Sequence, residues 1–129
     1  MRKPVKTIKP LLGITMGDPA GIGPEVIVKA LARQGVRRLC RPLVIGSPEV
    51  LARMVSALKA PLKVRSVDLS GFEAPDGVVP VLDPLPQPLG RFVPGKVSQE
   101  TGAAQAVYVE EAVERALDGS VAAIVTAPI

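Results

Sequence analysis

Short apolar runs alternate along the chain with longer stretches in which apolar residues recur every three or four positions. From Leu11 to Met16 a short run precedes a cluster of glycines, and from Pro24 to Gln34 the residues Val26, Ile27, Ala30 and Leu31 repeat at helical spacing. This pattern predicts a strand, a tight turn and a helix over 24–34. Pro24 suits the first helical turn, Glu25 favours the positive helix end, and Gly35 supplies a stop. The stretch RPLVIGSPEVLARMVSALK repeats the order. Pro42 to Gly46 reads as a buried strand, Ser47 as an N-cap and Pro48 as the first helical residue, with Val50, Leu51, Met54, Val55 and Leu58 as the apolar face. LKVRSVDL then alternates as a third strand, at the edge or inside the sheet.

Between residues 71 and 96, prolines and glycines scatter through the sequence and only VVPVL reads as a strand. Its proline removes a ladder donor, which predicts an edge position or a bulge. So long an irregular connection points to a functional segment. Helical periodicity returns in SQETGAAQAVYVEEAVERALDGS, with Ser98 as N-cap, Glu100 in the first turn and Gly119 as the stop. Ala103, Ala106, Val107, Val113, Ala116 and Leu117 are expected on or beside the inner face. VAAIVTAPI reads as a buried strand. Strands alternating with helices imply an α/β fold, a mainly parallel sheet with flanking helices. Such sheets carry ligand sites outside the carboxyl ends of their strands. The sequence stops at Thr126-Ala127-Pro128-Ile129, where such a loop would begin, so it reads as truncated after the strand 121–127.

Composition narrows the picture. A chain of 129 residues fits one small domain, able to bury roughly two thirds of its unfolded surface. With no Trp, one Tyr and two Phe, the core must be aliphatic. The net charge of +4 raises the question of nucleic acid, but its distribution argues against such a partner. Arg2, Lys3, Lys6 and Lys9 crowd an N-terminus that reads as a frayed tail. Arg33, Arg37, Arg38 and Arg41 surround a predicted helix end, where positive charge is favourable, and no aromatic platforms accompany them. Cys40, the only cysteine, reads as a small buried hydrophobe in a reducing compartment. The basic opening segment lacks the pattern of a secretory signal. No apolar run approaches the ~18 residues of a membrane span.

The stretch ITMGDPAGIGPEV carries the first candidate chemistry. Gly17, Gly21 and Gly23 permit positive φ and close approach, and the following helix offers unpaired N–H groups to an anion or cofactor. Packing alone would demand the same glycines. Their spacing, G-x-x-x-G-x-G, is not the dinucleotide fingerprint. Asp18 could meet a ligand hydroxyl, but the reading preferred here is that it ties down the loop's own amides. A second candidate is GRFVPGKVS, where Gly90, Gly95 and Lys96 match a phosphate-binding loop except that Val97 stands where Ser or Thr is required. A P-loop nucleotide binder is therefore a weak alternative, and a non-catalytic α/β binding module a further one. The chain has no histidine, hence no imidazole base or ligand. Glu110, Glu111, Glu114 and Asp118 read as a solvated helix face with Arg115.

Taken together, ITMGDPAGIGPEV, PGKVSQETGAAQAVYVEEAVERAL and AAIVTAPI resemble the 4-hydroxythreonine-4-phosphate dehydrogenase family of pyridoxal phosphate biosynthesis. The first string is also similar to the G-D-G-I-G-P-E turn of isopropylmalate and isocitrate dehydrogenases. The resemblance implies the N-terminal part, residues 1–129, of a two-domain, homodimeric, cytoplasmic α/β dehydrogenase with an incomplete isopropylmalate dehydrogenase-like fold. It implies oxidation of 4-phosphohydroxy-L-threonine by NAD with a divalent metal, followed by decarboxylation. A paralogue acting on another four-carbon acid phosphate or a cis-diol carboxylate is the family-internal alternative. Gly17, Asp18, Gly21, Gly23, Thr126 and Pro128 map to the cleft lining or cofactor side. No catalytic or metal-binding residue of the family maps onto this chain, which alone is expected to be inactive. Lys96 and Ser98 match a family motif without an assigned role.

Overall fold

Leu11–Thr15 forms β1, and the glycine-rich turn after it opens into helix α1 (Gly23–Leu31), in a computed structural model that describes residues 8–129. The tail cations Arg2, Lys3 and Lys6 lie outside the described residues. Contrary to the sequence expectation of a helix over 24–34, α1 stops at Leu31. Arg33 takes extended backbone, and a separate helix α2 (Gln34–Leu39) follows. Gly35 therefore sits in the first turn of α2 instead of ending α1. The Arg37 guanidinium reaches back to donate 2.9 Å to the Leu31 carbonyl, satisfying an acceptor that the end of α1 leaves free.

β2 (Arg41–Ile45) leads into α3 (Pro48–Leu58) as the pattern predicts, and the Ser47 hydroxyl accepts from the Val50 N–H at 3.3 Å. Val50 and Leu51 are buried, with Met54, Val55 and Leu58 packed beside them. Then come β3 (Lys63–Ser66), β4 (Val78–Leu82), α4 (Gln99–Leu117) and β5 (Ala123–Thr126).

The five strands form one all-parallel sheet in the order β3-β4-β2-β1-β5. β3 is an edge strand, which settles the choice the sequence left open. β4 corrects the expectation raised by Pro80, since it lies between β3 and β2 with Pro80 opposite Arg65. In a parallel ladder successive residues bond to alternate neighbours. The Gly46 N–H donates to the Leu82 carbonyl and the Val67 N–H to the Val81 carbonyl, so Pro80 turns its missing donor toward β2. There the ladder begins only at Val44↔Val81. An interior proline is tolerated because its strand is unzipped at that point.

The course of the chain fixes the layers. Steps from β1 to β2 and on to β3 run one way across the sheet, while the step from β4 to β5 runs back. Right-handed crossovers then set α1 and α3 on one face and α4 on the other. Adjacent strands β2 and β4 thus send their connections to opposite faces, which makes their carboxyl ends the topological switch point.

Two further expectations are corrected here. β5 is an edge rather than a buried strand, because β1 is its only partner among the described residues; Val125 remains 45% exposed. Helix α4 is turned from its expected phase. Thr101, Ala104, Tyr108 and Ala112 face the core, while Ala103, Ala106, Val113 and Leu117 face outward. The acidic face is as read, with Arg115 paired to Glu111, Glu114 and Asp118. Cys40 is buried as expected. No helix among the described residues is long and apolar enough to cross a membrane.

Nothing lies within 4 Å of a Cβ added at Gly35, and its φ is negative. Gly35→Ala is expected to raise unfolding free energy by about 0.5–1 kcal/mol in a urea titration.

Candidate active-site turn at the carboxyl ends of the strands

The turn between β1 and α1 is held by backbone crowding. Gly17 adopts φ +76°, and a Cβ there would lie 2.7 Å from the Pro128 carbonyl oxygen. At Gly23 a Cβ would fall 2.0 Å from the Met16 carbonyl oxygen and 3.2 Å from the Ala127 Cβ. These two glycines are packing requirements that bring the end of β1 against the chain following β5. The Ala127 N–H donates to the Thr15 carbonyl at 3.1 Å, extending the same contact. Thr126, the register partner of Thr15, is exposed, as is Pro128. Gly21 differs, because it is exposed and its Cβ position meets only Asp18, no nearer than 3.4 Å.

Asp18 ties down the turn as expected. Its Oδ1 accepts from the Ala20 N–H at 2.8 Å, and its carbonyl accepts from the Gly21 N–H at 2.9 Å. Its other carboxylate oxygen lies 3.4 Å from the Thr101 hydroxyl, a fully buried group in the first turn of α4. Ser98 caps that helix by accepting from the Thr101 N–H at 3.2 Å. The irregular connection also docks here, with the Gly95 N–H donating 2.6 Å to the Ala20 carbonyl. The turn, the 90–98 connection and the start of α4 thus form one rim.

The phosphate-loop match in that connection fails structurally. The Gly90 N–H is taken by the Glu100 carboxylate, the Gly95 N–H by Ala20 and the Lys96 N–H by the Val93 carbonyl. Those amides are spent on protein acceptors, and no strand leads directly into the loop. By contrast, no side chain caps α1. Its N-cap is Ile22, and Pro24 offers no N–H. The start of α1 therefore has no side-chain cap, and Glu25 in its first turn is the one charge set against its positive dipole end.

At the switch point the structure adds groups that sequence reasoning missed. Asp83 follows β4, and burial pushes its carboxyl above the usual range, Glu49 adding to the effect while the Leu85 N–H opposes it. Tyr108, fully buried on α4, has its hydroxyl pushed upward by burial first and by the charges of Asp83, Glu49 and Asp18 next. That hydroxyl and the Thr15 hydroxyl find no hydrogen-bond partner among the described residues. The position of Asp83 immediately after an apolar strand was the available signal. Tyr108 gave none.

Two substitutions test this geometry. Gly23→Ala is expected to cost more than about 3 kcal/mol in urea unfolding, because backbone rather than a flexible side chain blocks the new methyl. Asp83→Asn keeps an acceptor for the Leu85 N–H but removes a charge. Because the folded carboxyl titrates above its ordinary 3.8, its favourable contribution is complete below that pH and is lost as pH rises through the raised value. Asp83→Asn should therefore melt higher than the parent at neutral pH, and the difference should vanish at about pH 3.8 and below.

Residues 38–129 match the family model described as pyridoxal phosphate biosynthetic protein PdxA. The chain is 44% identical over 123 residues to 4-hydroxythreonine-4-phosphate dehydrogenase of Desulfosudis oleivorans, covering 94% of this chain and 36% of that one. It is also 44% identical over 126 residues to D-threonate 4-phosphate dehydrogenase of Cupriavidus necator, covering 93% and 36% respectively. The crystal structure of a 4-hydroxythreonine-4-phosphate dehydrogenase from Burkholderia phymatum superposes with a TM-score of 0.85 at 37% identity, over 93% of this chain and 36% of that one. The chain thus spans 36% of the length of these relatives.

Proposed function

The chain belongs to the family of pyridoxal phosphate biosynthetic protein PdxA, and from that membership we propose that it is the N-terminal part of a two-domain, NAD-dependent dehydrogenase of 4-phosphohydroxy-L-threonine. The relatives are named dehydrogenases, and the matched crystal structure is one as well. The proposal extends to loss of carbon dioxide after oxidation, to a cytoplasmic homodimer, and to inactivity of residues 1–129 by themselves.

The observation that carries this reading is the turn docked against the end of β5. It sets an uncapped helix start, an exposed glycine and exposed Thr126 and Pro128 at the carboxyl end of a parallel sheet. The amides opening α1 suit a phosphate or carboxylate group. Gly21 admits close approach of a ligand, and exposed Ile22 and Val26 offer an apolar ledge beside it. Asp18 holds the turn in place through Ala20 and Thr101 rather than meeting the substrate. NAD, when bound, supplies the hydride acceptor.

A divalent metal fits these residues poorly. The chain has no histidine, and no group of three or more His, Cys, Asp or Glu side chains among the described residues could hold an ion. The reading therefore assigns metal ligation to none of them.

The equal identity to the Cupriavidus necator enzyme favours a second substrate, D-threonate 4-phosphate. NADH formation by the full-length protein separates the two. The first reading expects 4-phosphohydroxy-L-threonine to be preferred by about 10-fold or more in kcat/KM, with activity abolished by a chelator and restored by added metal. The opposite preference selects the second substrate, turnover unaffected by the chelator removes the metal, and no NAD reduction with either compound overturns the dehydrogenase.

A further inference from the structure

The opposite end of the sheet holds a cleft of about 880 Å³. It exists because the middle of the sheet is open there. Pro42 on β2 and Pro80 on β4 both direct their missing donors into the same inter-strand gap, and the ladder closes only from Val44↔Val81 onward. Leu11, Leu31, Val79 and the two prolines form an apolar floor.

The walls are cationic. Lys9, Arg37, Arg38, Arg41 and Arg65 line the cleft, against Glu73 and Asp76. Asp76 is occupied by Arg37 at 2.8 Å. The remaining four cations form no ion pair among the described residues. Three are held in place by carbonyl contacts instead: Lys9 to Arg37, Arg41 to Lys9 and Arg65 to Glu73. Guanidinium groups fixed through one edge still present other donors to a second acceptor, and a fork geometry suits phosphate or carboxylate oxygens. The short helix α2 ends beside the same wall, and its last turn contributes Arg37 and Arg38.

We infer that this amino-end cleft binds a small polyanion, a compact molecule with two or more negative charges, at a site separated from the candidate active-site turn by the length of the strands. The unpaired cations converge on one gap instead of spreading across a face.

Inorganic pyrophosphate is the probe, titrated calorimetrically into the full-length protein against chloride at matched ionic strength. Saturable binding is expected, weakened about 10-fold by Arg38→Ala and further by adding Arg41→Ala. Both side chains are exposed; Arg38→Ala should melt as the parent does without ligand, and adding Arg41→Ala removes only the exposed bond to the Lys9 carbonyl. Absence of saturable binding, or binding indifferent to both substitutions, overturns the inference. Cys40 also lines the cleft and is buried. Its alkylation in the parent protein, followed by peptide mass spectrometry, should slow several-fold with pyrophosphate. An unchanged rate counts against the site even where a variant fails to fold.

Discussion

Close approach of backbone at the end of β1 is the constraint on which the rest of the structure depends. Met16 is fully buried, and its N–H donates to the Ile45 carbonyl at 3.0 Å, binding it to β2. Its carbonyl oxygen occupies the space a Cβ would take at Gly23. Its side chain fills the corresponding space at Gly46, where a Cβ would lie 2.6 Å from the Met16 Cβ. One residue therefore fixes the start of α1, the end of β2 and, through Gly17, the position of Pro128. In an interior packed near crystal density such a junction has no room to deform gradually. The candidate site inherits its rigidity from this junction.

The central strands behave differently at their two ends. At the carboxyl end β2 and β4 are zipped, the Gly46 N–H reaching the Leu82 carbonyl at 3.0 Å, and the connections diverge to opposite faces. At the amino end two prolines leave them apart. The same pair of strands thus builds a tight switch point lined by carboxylates and, a strand's length away, an open cleft lined by guanidinium groups. Arg37, Arg38 and Arg41, three of the four arginines that composition assigned to favourable helix-end charge, gather around that gap, and Arg33 does not.

Much of this fold was legible because strong local signals agreed with it. Ser47-Pro48 marks the start of α3 and Ser98 that of α4, both capped through their hydroxyls. Gly17, Asp18 and Gly23 announced a constrained turn, and Asp18 bonds its own loop. What the sequence hid were facts about neighbours. In α4 small apolar residues surround the helix, so periodicity cannot choose between Ala103 and Ala104 as the inward position. The contact of Thr101 with Asp18, 83 residues apart, fits the observed phase. A proline in VVPVL states that a donor is missing but not which neighbouring strand would have received it. Gly35 looked like a stop because the extended backbone at Arg33 leaves no mark in composition. Tyr108 became part of the site only through the phase of α4.

The two borders of the sheet are finished differently. β3 displays Lys63 and Arg65, charges that discourage another chain from pairing alongside. β5 runs Ala-Ile-Val-Thr with no charge, and no strand among the described residues pairs with its outer amides and carbonyls. A bare border of that kind is a template for strand addition. In residues 1–129 taken by themselves, β5 is therefore the margin most open to pairing with another strand.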